Sequence, residues 1–239
     1  MKVAIMAGGI GSRLKPMTLA IPKPLIPVGD KPILETLLRL LSKQGFKDII
    51  LCVGYKSELI ESYFGNGSKF GIKISYFKEK KRLGTAGALR PVRDIFGINE
   101  PILMMNGDIL TKVDFRKMVN FHLKNNSDLS IGIKEKEMQT KYGVLDIREN
   151  RLIGVREKPS FKFNISTGIY IINPDMLNYI KPNSYFDMPS LINTCLKNKN
   201  KVLCYNITEY WKAIDRLEDF NEANSDKNKK LLNWISKIK

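Results

Sequence analysis

The residues most able to do chemistry begin six positions into the chain. An apolar run, Val3 to Ala7, leads directly into Gly8-Gly9-Ile10-Gly11-Ser12-Arg13. Glycines after a strand let the backbone approach a ligand closely, and successive amide N–H groups bind phosphate oxygens. Ala7, Gly8, Gly9, Gly11 and Ser12 are therefore candidates for holding a nucleotide. A tight turn would account for the glycines alone. Arg13 and Lys23 shift the balance, because they add two fixed cations beside an anion-binding loop. The pattern is not a dinucleotide fingerprint, since Leu14 stands where GxGxxG needs glycine. It is not a Walker loop, since no Gly-Lys-Ser/Thr follows.

A second candidate lies at Asn106-Gly107-Asp108, directly after the apolar run Ile102 to Met105. Ligand chemistry in open α/β sheets collects at the carboxyl ends of strands. A hard carboxylate there suits Mg²⁺, which binds through one or two carboxylates and substrate phosphates. An Asn-Gly-Asp turn is the plain structural alternative. The chain has no Ser-His-Asp or Cys-His arrangement. Its one histidine, His122, sits in the helical stretch Asp114 to Lys124 and is read as a surface or boundary residue.

The elements that must position these groups follow from hydrophobic period. Lys2 to Met6, Asp48 to Val53, Ile72 to Phe77 and Ile102 to Met105 read as strands. Lys31 to Leu41 reads as a helix, with Ile33, Leu34, Leu37, Leu38 and Leu41 on one face and Gly45 closing its end. Ser57 to Phe64 is a second helix. Thr85 to Phe96 is a third, with an interruption at Pro91. Strands alternating with helices predict an α/β fold around a largely parallel sheet. From Leu129 the texture turns to strands: Leu129 to Ile133, Gly143 to Ile147, Leu152 to Arg156 and Thr167 to Ile172. These predict a smaller lobe built against the same sheet. Residues 1–225 form the expected domain, with a helix over Glu218 to Leu232 and a basic helical tail at 226–239. The tail's apolar side suits packing on its own domain, on a second copy in a homodimer, or at a membrane interface.

Composition narrows the function class. The formal charge is +16, but the lysines are scattered and no nucleic-acid reading motif is present, so no nucleic-acid partner is expected. No stretch approaches the roughly 20 apolar residues of a membrane span, and no signal-peptide pattern opens the chain, so stable membrane insertion is not expected. Three cysteines (Cys52, Cys195, Cys204) without a CxxC pair fit reduced thiols in a cytoplasm.

Taken together, GGIGSRLKPMT and PKPLIPVGDKPILE resemble the opening signature of the sugar-1-phosphate nucleotidyltransferases. Leu83-Gly84-Thr85-Ala86-Gly87-Ala88-Leu89, Asn106-Gly107-Asp108, Tyr142-Gly143-Val144, Glu157-Lys158-Pro159 and Thr167-Gly168-Ile169-Tyr170 resemble later family segments in the same order. The resemblance covers about residues 1 to 222. Within the family it is strongest to the guanylyltransferases for glucosamine, heptose and mannose 1-phosphates. It implies a Rossmann-like nucleotidyltransferase fold: a mostly parallel mixed sheet flanked by helices, with a small β-rich sugar-binding lobe. It also implies Mg²⁺, a nucleoside triphosphate and a sugar 1-phosphate. Arg13, Lys23, Asp108 and Lys158 would be catalytic, with Lys23 at the α-phosphate and Lys158 at the sugar phosphate. Gly84 and Thr85 would join the nucleotide side. Asn106, Gly143, Glu157, Ser166, Thr167 and Gly168 would surround the sugar phosphate.

Base choice rests on Glu79, where the resemblance places a base-reading side chain. Guanine presents N1–H and N2–H₂ side by side, which one carboxylate can accept together, so GTP is favoured. A solvated glutamate in a charged run is the alternative. Two departures from the family pattern stand out. Ser166-Thr167-Gly168 replaces Asn-Ala-Gly or Asn-Thr-Gly, and Trp211-Lys212-Ala213-Ile214-Asp215 replaces Trp-x-Asp-Ile-Gly. Ala213 thus stands where a metal-binding Asp is expected. Asp215 would then be a displaced metal ligand, or the N-cap of a helix beginning near Arg216. A uridylyl-, thymidylyl- or cytidylyltransferase, or a nucleotide-sugar-binding pseudoenzyme, are the competing readings.

Overall fold

A computed structural model describes residues 1–238. The chain runs through β1 (Val3–Met6), a loop carrying the one-turn α1 (Met17–Ala20), a small hairpin of β2 (Pro27–Val28) and β3 (Lys31–Pro32), and α2 (Ile33–Lys43). Next come β4 (Asp48–Val53), α3 (Ser57–Phe64), β5 (Lys73–Lys78), α4 (Gly84–Gly87) and α5 (Leu89–Phe96). Then follow β6 (Ile102–Asn106), β7 (Ile109–Thr111), α6 (Phe115–Lys124), β8 (Leu129–Gln139), β9 (Val144–Arg148), β10 (Arg151–Arg156) and β11 (Ser160–Ile172). The last elements are α7 (Met188–Lys197), β12 (Val202–Asn206), β13 (Trp211–Ala213), α8 (Leu217–Ala223) and α9 (Lys229–Lys237).

Seven strands form one sheet in the order β12-β8-β11-β6-β1-β4-β5. β1 pairs parallel with β4 and β6, and β11 pairs antiparallel with β6 and β8. The inner strands are near-continuous aliphatic runs because helices cover both faces. The α2 stripe of Ile33, Leu34, Leu37, Leu38 and Leu41 is buried as its period requires. One core layer joins α2 and α3 to the sheet; the other joins α5 and α7.

The structure corrects several expectations. Thr85 to Phe96 is two helices, divided at Ala88, and Pro91 lies in the first turn of α5 rather than breaking a helix. Proline is tolerated in a first turn because its missing N–H would have no partner there. The strands at Leu129 and Thr167 are far longer than their apolar stretches. β8 and β11 run on beyond the sheet as an antiparallel arm, with β9 and β10 forming a separate two-stranded ribbon. The expected helix over Glu218 to Leu232 is broken, since α8 ends at Ala223 and α9 starts at Lys229. α9 packs on its own chain, which overturns the membrane-interface reading of the tail. Leu231 and Ile235 join Leu14, Ile26, Val28 and Ile33 in a third buried cluster. His122 is likewise not at the surface. It is 1% exposed, with Nδ1 2.9 Å from Ser130 Oγ and Nε2 3.1 Å from Asn173 Oδ1.

Candidate active site

β1 stands between β4 on one side and β6 on the other. The chain leaves β1 for β4 and returns later to β6, so the crevice at their carboxyl ends is a topological switch point, where open α/β sheets bind ligands. The loop from Gly8 to Arg13 lies there because β1 ends at Met6, and Asp108 lies there because β6 ends at Asn106. The two ends are tied by the Gly107 N–H donating to Met6 O at 2.9 Å. Gly11 has φ +64°, and a Cβ there would fall 2.9 Å from the Thr18 methyl. Only glycine fits that fold of the loop.

Two cavities open on this crevice. One, of about 260 Å³, is lined by Gly9, Gly11, Ser12, Arg13, Lys23, Asp108 and Asp215, among others. The other, of about 420 Å³, includes Gly8, Glu79, Arg82, Gly84, Thr85, Asn106 and Tyr185. They share Asp108 and the glycine loop, so they are two ends of one cleft.

The first cavity holds a charge cluster. Lys23 is 7% exposed, and its ammonium donates to Asp108 Oδ2 at 2.5 Å and to Asp215 Oδ1 at 3.0 Å. Arg13 donates to the other Asp215 oxygen. Asp108 Oδ1 is buried and has no hydrogen-bond partner among the described residues. A buried carboxylate oxygen left bare is costly and marks a place for a donor or a cation. Burial pushes the Asp215 carboxyl up, but hydrogen bonds and charge from Lys23 and then Arg13 outweigh it and hold the group below its ordinary value.

Backbone pairing brings Asp215 here. β13 pairs antiparallel with β7, with Ala213 opposite Ile109, and the Ile214 N–H donates to Asp108 O at 2.9 Å. Asp215 lines the cleft cavity with Lys23 and Asp108, whereas Ala213 does not; Ala213 shares with Asp215 a separate neighbouring cavity that Tyr210, Trp211 and Lys212 line too. Asp215 does not cap the next helix. That work falls to Asp219, whose carboxylate accepts from the N–H groups of both Asp215 and Arg216. The N-cap residue is Arg216.

At the other end of the cleft, Glu79 Oε2 accepts from the Leu83 N–H at 3.1 Å. Oε1 is turned towards Gly8. Burial raises the Glu79 carboxyl, and the Leu83 bond partly offsets it.

The sugar-side candidates divide. Gly168, at φ +74°, rests on Asn106, so closely that a Cβ would sit 2.6 Å from its amide nitrogen. Those two are brought together at the cleft. Ser166 Oγ is 2.7 Å from the Tyr170 hydroxyl, and the Thr167 hydroxyl donates to Gly132 O at 2.7 Å. Thr167 is buried, so its side chain is turned away from the cavities and only its backbone could serve. Thr85 supports the fold as well, since its hydroxyl accepts from the Met188 N–H. Gly143, Glu157 and Lys158 lie at the base of the β9–β10 ribbon and line neither cavity. Lys158 is exposed, with its ammonium 3.7 Å from Glu157.

Sequence reasoning missed Ile10, Arg82 and Tyr185, all lining the larger cavity. One signal for Tyr185 was available. Gly84, at φ +79°, would place a Cβ 2.5 Å from Phe186 O and 3.2 Å from the Tyr185 ring. A glycine pair at 84 and 87 thus marks another segment lying against it, though not which one.

The chain matches the Nucleotidyl transferase family model over residues 2–230. It belongs to the nucleotidyl transferase family. Among curated relatives of this nucleotidyl transferase, the D-glycero-alpha-D-manno-heptose 1-phosphate guanylyltransferase of Aneurinibacillus thermoaerophilus is 38% identical, over 72% of this chain and 75% of the relative. The mannose-1-phosphate guanylyltransferase catalytic subunit beta of Dictyostelium discoideum is 32% identical over 92% of this chain, which spans 62% of that relative's length. A UTP–glucose-1-phosphate uridylyltransferase of Synechocystis is also 32% identical. Among solved structures, a putative glucose-1-phosphate thymidylyltransferase from Bacillus anthracis superposes with TM-score 0.77 at 25% identity, covering 96% of each chain. HddC from Yersinia pseudotuberculosis complexed with GMP-PN superposes with TM-score 0.73 at 27% identity, over 93% of this chain and 97% of its own. No helix among the described residues is long and apolar enough to cross a membrane.

Proposed function

We propose that this chain transfers a nucleotidyl group, GMP from GTP by preference, to a sugar 1-phosphate and releases pyrophosphate. The observation that carries this reading is the cluster of Lys23, Asp108 and Asp215 at the end of the glycine loop, with one Asp108 oxygen buried and bare. In the proposed reaction the sugar phosphate oxygen attacks the α-phosphorus in line. The α–β phosphoanhydride bond breaks, and its electron pair leaves with pyrophosphate. No enzyme nucleophile is needed, so catalysis rests on positioning and electrostatics.

The glycine-loop N–H groups and Arg13 bind the β- and γ-phosphates. Lys23 turns from the carboxylates to the α-phosphate and offsets charge developing on its oxygens. Asp108 and Asp215 present hard oxygen donors and fit a Mg²⁺ site, which Asp108 Oδ1 also favours. Bound there, the ion would neutralise charge on the triphosphate. Glu79 accepts from the guanine edge, and Asn106 with the Gly168 backbone faces the sugar. Lys158 reaches the sugar phosphate only if the ribbon that carries it approaches the cleft.

The guanine assignment draws support from Glu79 and from the names of the heptose and mannose relatives; the uridylyl and thymidylyl relatives are the alternative. The proposed setting is a cytoplasm, in keeping with free Cys52, Cys195 and Cys204. Pyrophosphate release measured across four nucleoside triphosphates and a panel of hexose, hexosamine and heptose 1-phosphates tests both levels. Turnover with GTP above the others supports the full reading. A preference for UTP, dTTP or CTP removes the role given to Glu79. Nucleotide binding without any turnover identifies a pseudoenzyme, the reading that the alanine at position 213 favours.

A further inference from the structure

The β9–β10 ribbon carries an apolar face that its own protomer leaves uncovered. In its register Leu145 lies opposite Val155, and Ile147 opposite Leu152. Alternation puts these four on one side. Asp146 and Arg156, which pair at 3.0 Å, belong to the other, where Arg156 also lies over the Phe161 ring of β11. The four outward aliphatics, with Ile153 at the bulge, are each 54–64% exposed. Single exposed aliphatics need no explanation, but five on the eleven strand residues of the ribbon form a patch. A two-stranded hairpin with one solvated apolar face is marginal in water and is stabilised by another layer.

We propose that a second copy of this chain covers that face, ribbon against ribbon about a two-fold axis. Area argues for this occupant. The five side chains expose roughly 500 Å² of aliphatic surface, which is the apolar share, about 60%, expected of an 800 Å² patch per partner in a standard dimer. Shape argues for it too. Two identical ribbons stack as the two layers of a small β-sandwich, about 10 Å apart, and each supplies the layer the other lacks. Closed two-fold contacts of this self-complementary kind are the commonest form of assembly. The inference touches the proposed function through one feature only: Gly143, Glu157 and Lys158 flank this ribbon, so the second copy would steady the segment that carries them.

Light scattering on a sizing column decides the matter without any assay of activity. At tens of micromolar the wild-type chain should elute at twice 27.3 kDa. Ile147→Glu should elute as a monomer, because it sets a carboxylate into each copy's half of the apolar contact; its dissociation constant should rise at least tenfold. Leu152→Thr, which keeps strand propensity, should weaken the dimer less while melting normally. Leu123→Glu, at an exposed site on α6, should leave it intact. A wild-type monomer at 100 µM overturns the proposal. So does a dimer that Ile147→Glu and Leu152→Thr both leave unchanged. If the ribbon instead closes on its own cleft, the chain stays monomeric and Ile147→Glu alters only the apparent KM for sugar phosphate, which also counts against the second copy.

Discussion

Lys23 stands between two carboxylates, and its removal should therefore be felt twice. Lys23→Ala should lower turnover by at least tenfold. It should also lower the melting temperature of the free chain, because Asp108 and Asp215 would face each other without the cation between them, with only Arg13 left on Asp215. A loss of about 1–2 kcal/mol, a few degrees for a chain of this size, is the expected scale. Mg²⁺ should restore more stability to this variant than to wild type, since only Arg13, on Asp215, would remain to offset the two carboxylates. Normal turnover in Lys23→Ala would remove Lys23 from the site. Asp215→Asn should raise the Mg²⁺ requirement and lower turnover while α8 stays intact, because Asp219 caps that helix. Ala213→Asp should then increase activity, read as pyrophosphate release against Mg²⁺ concentration. If neither variant moves that curve, the segment from Ala213 to Asp215 takes no part in holding the metal.

At the scale of elements, two junctions make separate predictions. α9 closes over the segment from Leu14 to Ile33 through Ile235, which is fully buried. Ile235→Ala should cost about 2–4 kcal/mol. It should also raise the apparent KM for the triphosphate, because that segment holds Lys23 in place. A thermal melt with parallel kinetics checks both. The second junction joins α6, β8 and the end of β11 through His122. Burial pulls the imidazole below its ordinary value, against the pull of Asn173 and then Asp128. The native state then binds its proton later than the unfolded chain. Stability should be fully present above about pH 7, fall as pH drops through about 6.5 towards the native value, and level off below it. His122→Gln should melt lower at pH 7.5 but lose most of that slope. A wild-type melting curve flat from pH 7.5 to 5 would discard the account.

Much of this architecture was legible from period and composition. β1, β4, β6 and the α2 stripe follow from runs that only a doubly covered parallel sheet or an amphipathic helix satisfies. The glycine loop and Asp108 were legible because ligand-binding chemistry at strand ends needs small residues and a hard donor. His122 was misread because a lone histidine on a helix carries no sign of which neighbours will satisfy it. Ser130 and Asn173 lie 8 and 51 positions away. The lengths of β8 and β11 were missed because the outer half of β8, Lys134 to Gln139, is almost wholly charged and polar, and that of β11, Ser160 to Ser166, alternates polar and apolar residues with no core to bury them. Alternation did not find where Asp215 sits, since it lines the cleft with Lys23 and Asp108 while Ala213 does not. What freed it from capping was Asp219, a contact that spacing alone did not rank above its rivals.

For the whole molecule, the formal charge of +16 is a global condition on the cleft. Polyphosphate should be drawn in at long range, and screening should weaken that attraction. The apparent KM for triphosphate should therefore rise several-fold between 20 and 300 mM salt while kcat moves little; a KM independent of salt would show that the charge lies too far from the cleft to matter.

The contact between α9 and the segment from Leu14 to Ile33 joins stretches about 200 residues apart in the order of synthesis. A ribosome adding roughly 5–20 residues per second delivers that closure about 10–40 s after the glycine loop has emerged. Throughout that interval the loop, its arginine and its lysine are chemically complete but lack the helix that braces them from beneath. A released chain truncated after residue 228 would keep Arg13, Lys23, Asp108 and Asp215 and, on the proposed reading, should still bind nucleotide poorly for want of α9. On the proposed reading, competence would come only after α9 has cleared the exit tunnel.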